Sequence, residues 1–175
     1  MNIGERAPEF SLPGIDGKEH SLSEFEEKKV LAVIFTCNHC PYAKAYEARF
    51  VQLQEDFKEQ GVQLVAINAN DENNYPEDSF DKMVDRANER GFNFPYLRDQ
   101  DQSVASAFDA ACTPEVFLFD EHRFLRYHGK VDDSWDDPAS VEHNYLKDAI
   151  EALLGGKGIE GSEQPAIGCS IKWSK

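Results

Sequence analysis

The apolar run Val30-Leu31-Ala32-Val33-Ile34-Phe35 gives way, after Thr36, to Cys37-Asn38-His39-Cys40-Pro41. A short, unbroken apolar stretch rich in β-branched residues suits a strand buried on both faces of a sheet. A proline just past a polar break suits the first turn of a helix, where its missing N–H has no partner to lose. Two thiols three residues apart therefore fall where a strand becomes a helix. Residues at i and i+3 lie on one face of a helical turn, close enough for their sulfurs to bond without rebuilding the backbone. So small a loop gives a disulfide little entropic stabilisation, which points to a bond that is made and broken.

The segments around this motif read as alternating strands and helices. Pro13-Gly14 and Asp16-Gly17 lie between Phe10-Ser11-Leu12 and His20-Ser21-Leu22, the pattern of a hairpin that precedes the main domain. Between Tyr42 and Gln60, apolar residues recur at spacings of three and four (Ala43, Tyr46, Phe50, Leu53, Phe57) and stop at Gly61, which predicts an amphipathic helix with a glycine cap. Val62 to Asn68 reads as a second buried strand, and 69–78 as a polar loop. Ser79 to Arg90 reads as a helix ended by Gly91, Phe94 to Leu97 as an edge strand, and Gln102 to Phe108 as another helix. Glu115–Phe119 and Phe124–His128 are close enough to pair as an antiparallel hairpin. A last helix is predicted over 140–154 with Ser140 as its N-cap, followed by a glycine-punctuated tail that is expected to dock because it carries Ile167, Cys169, Ile171 and Trp173. The order β-α-β-α, hairpin, helix defines an α/β class with a mixed central β-sheet, in one domain over 1–175.

A chain of 175 residues can bury a core without disulfide staples, so its four cysteines are not a framework. Cys37 and Cys40 are adjacent, whereas Cys112 and Cys169 are isolated. The net charge of −15 disfavours nucleic acid and anionic membrane as partners. Met1 to Arg6 has no apolar stretch of signal-peptide character and no run approaches membrane-spanning length, so the expected location is cytoplasmic.

Four segments in order carry a family resemblance. They are Ala7-Pro8-Glu9-Phe10-Ser11-Leu12, Phe35-Thr36-Cys37-Asn38-His39-Cys40-Pro41, Thr113-Pro114-Glu115-Val116-Phe117-Leu118-Phe119-Asp120, and Tyr127-His128-Gly129-Lys130-Val131-Asp132-Asp133. The closing Ile167-Gly168-Cys169-Ser170-Ile171-Lys172-Trp173 accords with them. The chain resembles the thioredoxin superfamily, and within it the peroxiredoxin-like redoxins of AhpC/TSA type that carry a thioredoxin-style CxxC. The resemblance implies a thioredoxin-like fold and a thiol–disulfide oxidoreductase with a role in redox homeostasis. Cys37 would attack a substrate disulfide and Cys40 would resolve the mixed disulfide. Thr113-Pro114 would supply a cis-proline beside the sulfurs, with the Thr113 backbone offered to an extended substrate chain.

The attacking species is a thiolate, and an unperturbed cysteine with pKa about 8.5 is only roughly 3% ionised at pH 7. Helix N–H groups and His39 are the available stabilisers, which places the helix start near Cys37 or Asn38 with the Cys37 sulfur at its tip. Thr36, Asn38, His39 and Pro41 are thus candidate tuning residues. The histidine between the thiols predicts a couple more oxidising than thioredoxin's roughly −270 mV. Cys112, next to Thr113, and Cys169, in the tail, are candidate additional redox thiols.

Two other readings share the motif. A thiol peroxidase would use Cys40 as the peroxidatic cysteine, but Thr36 stands four residues before it rather than three, and Arg98, Arg123 and Arg126 are candidates for the activating arginine only by elimination. A non-catalytic copper-binding or redox-sensing module would use Cys37, Cys40 and a histidine. Structural zinc needs a second close ligand pair, and His122, His128 and His143 are scattered. The reading adopted has no metal and no cofactor, with a protein or small-molecule disulfide as substrate and a thiol reductant as partner.

Overall fold

Buried on both faces, as its composition requires, Val30–Phe35 (β3) is the central strand of a six-stranded sheet in the computed structural model, which describes residues 1–174. Val62–Asn68 (β4) and then Tyr96–Arg98 (β5) lie parallel to one side of it. On the other side come Glu115–Phe119 (β7) and Leu125–Gly129 (β8), both in antiparallel pairings, and Glu163–Gln164 (β9) at the edge. Ser11–Pro13 (β1) and Glu19–Ser21 (β2) form the expected N-terminal hairpin. Cys112–Thr113 (β6) pairs with Cys169–Ser170 (β10) in a separate two-stranded ribbon.

The helices are Pro41–Phe57 (α1), Phe80–Arg90 (α2), Ser103–Phe108 (α3) and Tyr145–Leu154 (α4). The alternation of β3 and β4 divides the core in two. Val30, Ala32, Ile34, Leu64 and Ala66 face Tyr46, Phe50 and Phe57 of α1, Met83 and Ala87 of α2, and Leu146, Ala149 and Ile150 of α4. Leu31, Val33, Phe35, Val65 and Ile67 face α3 together with Phe10, Leu12, Leu22 and Phe25 of the N-terminal segment. Neither strand could be half-polar, because each of its faces has a layer to cover.

Several predicted boundaries shift for local reasons. The helix after the CxxC begins at Pro41, with Cys40 as its N-cap in extended conformation (φ −68°, ψ 127°), and not near Cys37 or Asn38. It ends through a short turn at Lys58–Gln60, and Gly61 takes φ +85° to close it. The last helix begins at Tyr145, not at Ser140. The Ser140 hydroxyl is bonded to Asp137, and the Glu142 N–H is taken by Asp133 Oδ1, which together hold the chain out of helix through Val141. The tail docks as expected, and among the described residues no helix is long and apolar enough to cross a membrane.

Candidate active site

The site lies at the C-terminal ends of β3 and β4, where the loops of a parallel pair meet. Leaving the sheet at Phe35, the chain buries Thr36, Cys37, Asn38 and Cys40, and only His39 keeps partial exposure. Cys37 and Cys40 are 1% and 0% exposed, so neither sulfur stands at a solvent-facing helix tip. Cys37 Sγ lies 3.5 Å from Thr113 Oγ1. Cys40 Sγ lies 3.6 Å from the Thr113 carbonyl oxygen, to which it donates when protonated. The Thr113–Pro114 peptide bond is cis.

Opposite forces act on the two thiols. The neighbouring Cys37 thiol lowers the Cys40 thiol against the cost of burial, and Cys169 and the Ala43 N–H at the start of α1 act in the same direction. Cys37 is driven upward by its neighbour Cys40, by burial, and by the Asp78 carboxylate. The ionised sulfur is therefore Cys40, the one at the helix N-terminus, where unpaired N–H groups favour an anion.

Asp78 is the residue the sequence reading missed. Fully buried, it accepts from the Asn38 N–H at 2.7 Å, from Asn68 Nδ2 at 3.1 Å and from Asn70 Nδ2 at 2.9 Å. His39 Nδ1 sits 2.5 Å from Asp78 Oδ2 but out of line, a close contact and not a directed hydrogen bond. The His39 ring also stacks on Tyr75. Tyr96 donates to Asn38 Oδ1 at 2.7 Å and closes the floor of the site. The usable signal was Asn68-Ala69-Asn70, polar residues at the C-terminal end of a buried parallel strand, the end at which α/β sheets build their sites.

Cys37, His39 and Asp78 also bring ligand atoms within 4.8 Å of one another, and with only His39 partly exposed they are one of the sets among the described residues that could hold a cation. Both Asp78 oxygens already accept hydrogen bonds from asparagines or the backbone, which leaves that set poorly prepared for a metal. In the acidic stretch near Asp132, Asp132 itself is bonded to Tyr46 and Arg49.

Of the other two cysteines, only one joins the site. Cys169 packs against the cluster of Cys37, Cys40 and Ala43. Cys112 turns instead toward Glu115, with its sulfur 3.8 Å from Oε1, and burial and that carboxylate push its thiol up to about 12. Glu115 also accepts from the Ala111 and Cys112 N–H groups and contacts His128 Nε2 at 2.5 Å, which fixes the loop that carries Thr113. The Thr113 edge is not open to a substrate chain as the resemblance implied, because Cys169 of β10 is paired with it.

Residues 3–128 match the model of the AhpC/TSA family. The chain belongs to the AhpC/TSA family. It is 33% identical over 119 residues to the thiol-disulfide oxidoreductase ResA of Halalkalibacterium halodurans, an alignment that takes in 68% of this chain and 63% of that protein. The chain thus spans less than two thirds of that curated relative's length. An uncharacterized conserved protein from Geobacillus kaustophilus superposes with a TM-score of 0.94 at 40% identity, covering 99% of this chain and 93% of that one. A thiol:disulfide interchange protein of the thioredoxin family from Chlorobium tepidum TLS superposes with a TM-score of 0.69 at 19% identity, over 89% of this chain and 99% of that one, which establishes a thioredoxin-like fold.

In this AhpC/TSA chain the three arginines considered for peroxide activation have other partners. Arg98 donates to the carbonyls of Asn68 and Asn70. Arg123 donates to those of Phe25, Lys28 and Asp120. Arg126 is paired with Asp120.

Proposed function

We propose that this protein is a thiol–disulfide oxidoreductase whose Cys37 and Cys40 alternate between dithiol and disulfide in redox homeostasis, with a protein or small-molecule disulfide as substrate and a thiol as reductant. The observation that carries the reading is the placement of two buried sulfurs against Thr113, Cys37 at 3.5 Å from its hydroxyl and Cys40, at the N-terminus of α1, at 3.6 Å from its carbonyl oxygen. A thiolate held next to a thiol is prepared to attack a disulfide and then to be attacked itself.

With Cys40 at the N-terminus of α1 and Cys37 beside the Asp78 carboxylate, the order begins at Cys40, the reverse of the order that the resemblance implied. The Cys40 thiolate attacks one sulfur of the substrate disulfide, forming a mixed disulfide and releasing the other sulfur as a thiolate. Cys37 then gives up its proton and attacks the Cys40 sulfur, which closes the Cys37–Cys40 bond and releases the second substrate thiolate. Asp78, with an oxygen within 4.8 Å of the Cys37 sulfur, is positioned to receive that proton. The external reductant returns two electrons to restore the dithiol. A peroxidase would start from the same Cys40 thiolate, yet the guanidinium groups that could polarise a peroxide are tied to main-chain carbonyls and to Asp120.

Disulfide reduction measured on Cys37→Ser and Cys40→Ser tests the reading. Both variants should lose turnover, and wild-type rates in either would remove the cycle. Peroxide consumption that survives Cys37→Ser and disappears in Cys40→Ser would assign the site to a peroxidase.

A further inference from the structure

The dithiol is sealed. Cys37 and Cys40 are 1% and 0% exposed, so a disulfide in solution reaches either sulfur directly only after the tail paired with Thr113 shifts. Cys169 is the thiol that both meets the buried pair and keeps partial exposure. It stands on β10, which is paired antiparallel with β6 so that Cys169 faces Thr113 and Ser170 faces Cys112. Addition of an extended strand to a free edge is a general mode of peptide recognition. Here the chain's own tail occupies the edge that presents Thr113 to the sulfurs, and brings a cysteine with it.

The tail is fixed there by specific contacts. Gly168 approaches Thr113 so closely that a Cβ at that position would lie 1.9 Å from the Thr113 carbonyl oxygen. The Ile171 N–H donates to the Ala111 carbonyl at 3.0 Å. The Lys172 N–H donates to Asn70 Oδ1 at 2.9 Å, and its carbonyl accepts from the Asp71 N–H and from Gln102 Nε2. On the outer side, Ile167 and Trp173, the exposed large hydrophobic side chains among the described residues, flank Cys169 in sequence.

Resting on the dithiol cycle above, we propose that Cys169 is a third redox thiol, which exchanges with Cys40 and carries electrons between an external disulfide or dithiol and the sealed Cys37–Cys40 pair. In the oxidised protein, the Cys169 thiol loses its proton and its sulfur attacks Cys40 Sγ. The Cys40–Cys169 bond forms as the Cys37–Cys40 bond breaks, and Cys37 leaves as a thiolate that takes up that proton. No electron enters or leaves in this step. An external dithiol then attacks Cys169 at the surface, releasing the Cys40 thiolate. Its second thiol resolves the mixed disulfide, so two electrons have passed inward and one external disulfide has formed. Run backward, the sequence reduces an external disulfide. Cys40 is the central sulfur in either direction, with Cys37 and Cys169 as its alternative partners.

The decisive experiment oxidises purified Cys37→Ser with a small disulfide, blocks free thiols, and maps disulfides by peptide mass spectrometry. The relay requires an intramolecular Cys40–Cys169 bond in most molecules, with Cys112 free. Free Cys169 beside Cys40 capped by the added reagent would overturn it. Should the serine variant misfold, Cys37→Ala serves the same purpose. The second arm compares Cys169→Ser with wild type. The Cys37–Cys40 bond should still form under strong oxidation, but exchange with a protein-sized disulfide should slow by about tenfold or more, because a positioned intramolecular thiol is replaced by a bimolecular encounter. Unchanged exchange would also overturn the relay. If the wild-type protein forms no Cys37–Cys40 bond, the dithiol cycle itself falls, a result distinct from an intact bond with an idle Cys169.

Discussion

Cys37 and Cys40 have the same side chain and behave as different reagents because their neighbours differ. Cys40 stands at the N-cap position of α1, packed with Cys169 and with its sulfur 3.6 Å from the Thr113 carbonyl oxygen, whereas Cys37 is buried beside the Asp78 carboxylate. Over the neutral range the reduced pair therefore holds one proton, and reduction of its disulfide consumes one proton for two electrons. The midpoint potential should fall by about 30 mV per pH unit between pH values of roughly 5 and 8. A slope of about 59 mV per unit would show that both thiols are protonated there and would discard the assignment. The ultraviolet absorbance of the thiolate should persist to pH values below the ordinary thiol range and be absent in Cys40→Ser. The sign of the stability effect follows. The depressed Cys40 thiol stabilises the reduced fold, a contribution lost as pH falls through its lowered value, and the raised Cys37 thiol opposes it once pH rises past the ordinary thiol range.

Among the elements, β10 has an importance out of proportion to its two residues. It covers the Thr113 edge, delivers Cys169, and is held by a main-chain approach that only glycine permits at position 168. In Gly168→Ala the clash is with backbone, which cannot rotate away, so the strand must lift from β6. Faster alkylation of Cys169 and lost hydrogen-exchange protection at Ile171 are the expected outcomes, with α1 and α2 unaffected. Alkylation at the wild-type rate would mean that the pairing does not hold the tail. A similar approach occurs at Gly129, where φ is +137° and a Cβ would lie 1.7 Å from the Gln164 carbonyl oxygen, so β9 is pinned to β8 in the same manner.

The whole molecule is a sheet with a core on each face, and the site depends on both. The face carrying α1, α2 and α4 sets the position of Cys40 and Asp78; the other face meets at Phe108, whose ring packs on Phe10, Phe35, Phe117 and Phe119. Phe108→Ala should cost about 3–5 kcal/mol in chemical denaturation, the range for truncating a buried aromatic. A loss under about 1 kcal/mol would show that the cavity collapses and that Phe108 is no hub. The charge of −15 is spread over the surface, and the few carboxylates taken inside are satisfied, as with Glu47 bound by Arg86 and Asp132 by Arg49. Unpaired, such groups would be among the most costly the core could hold.

The sequence alone was enough for what depends on neighbours along the chain. The buried strands at Val30–Phe35 and Val62–Asn68 follow from unbroken apolar runs, and the helices after them from three-and-four spacing and glycine caps. The start of α1 at Pro41 differs from the sequence expectation by only a few residues, because the Asn38 N–H is held by Asp78, which is distant in sequence. Tertiary structure decided everything that requires residues far apart in the chain to meet. Asp78 beside Cys37, Cys169 beside Cys40, and the Thr113 edge already filled by the tail all arise from loops that converge at one end of the sheet. A thiol's ionisation depends on the groups within a few ångströms of it, and a linear pattern of residues does not specify which groups those are. The CxxC spacing marked a redox pair, and the fold determined which sulfur is charged and which third thiol can reach it.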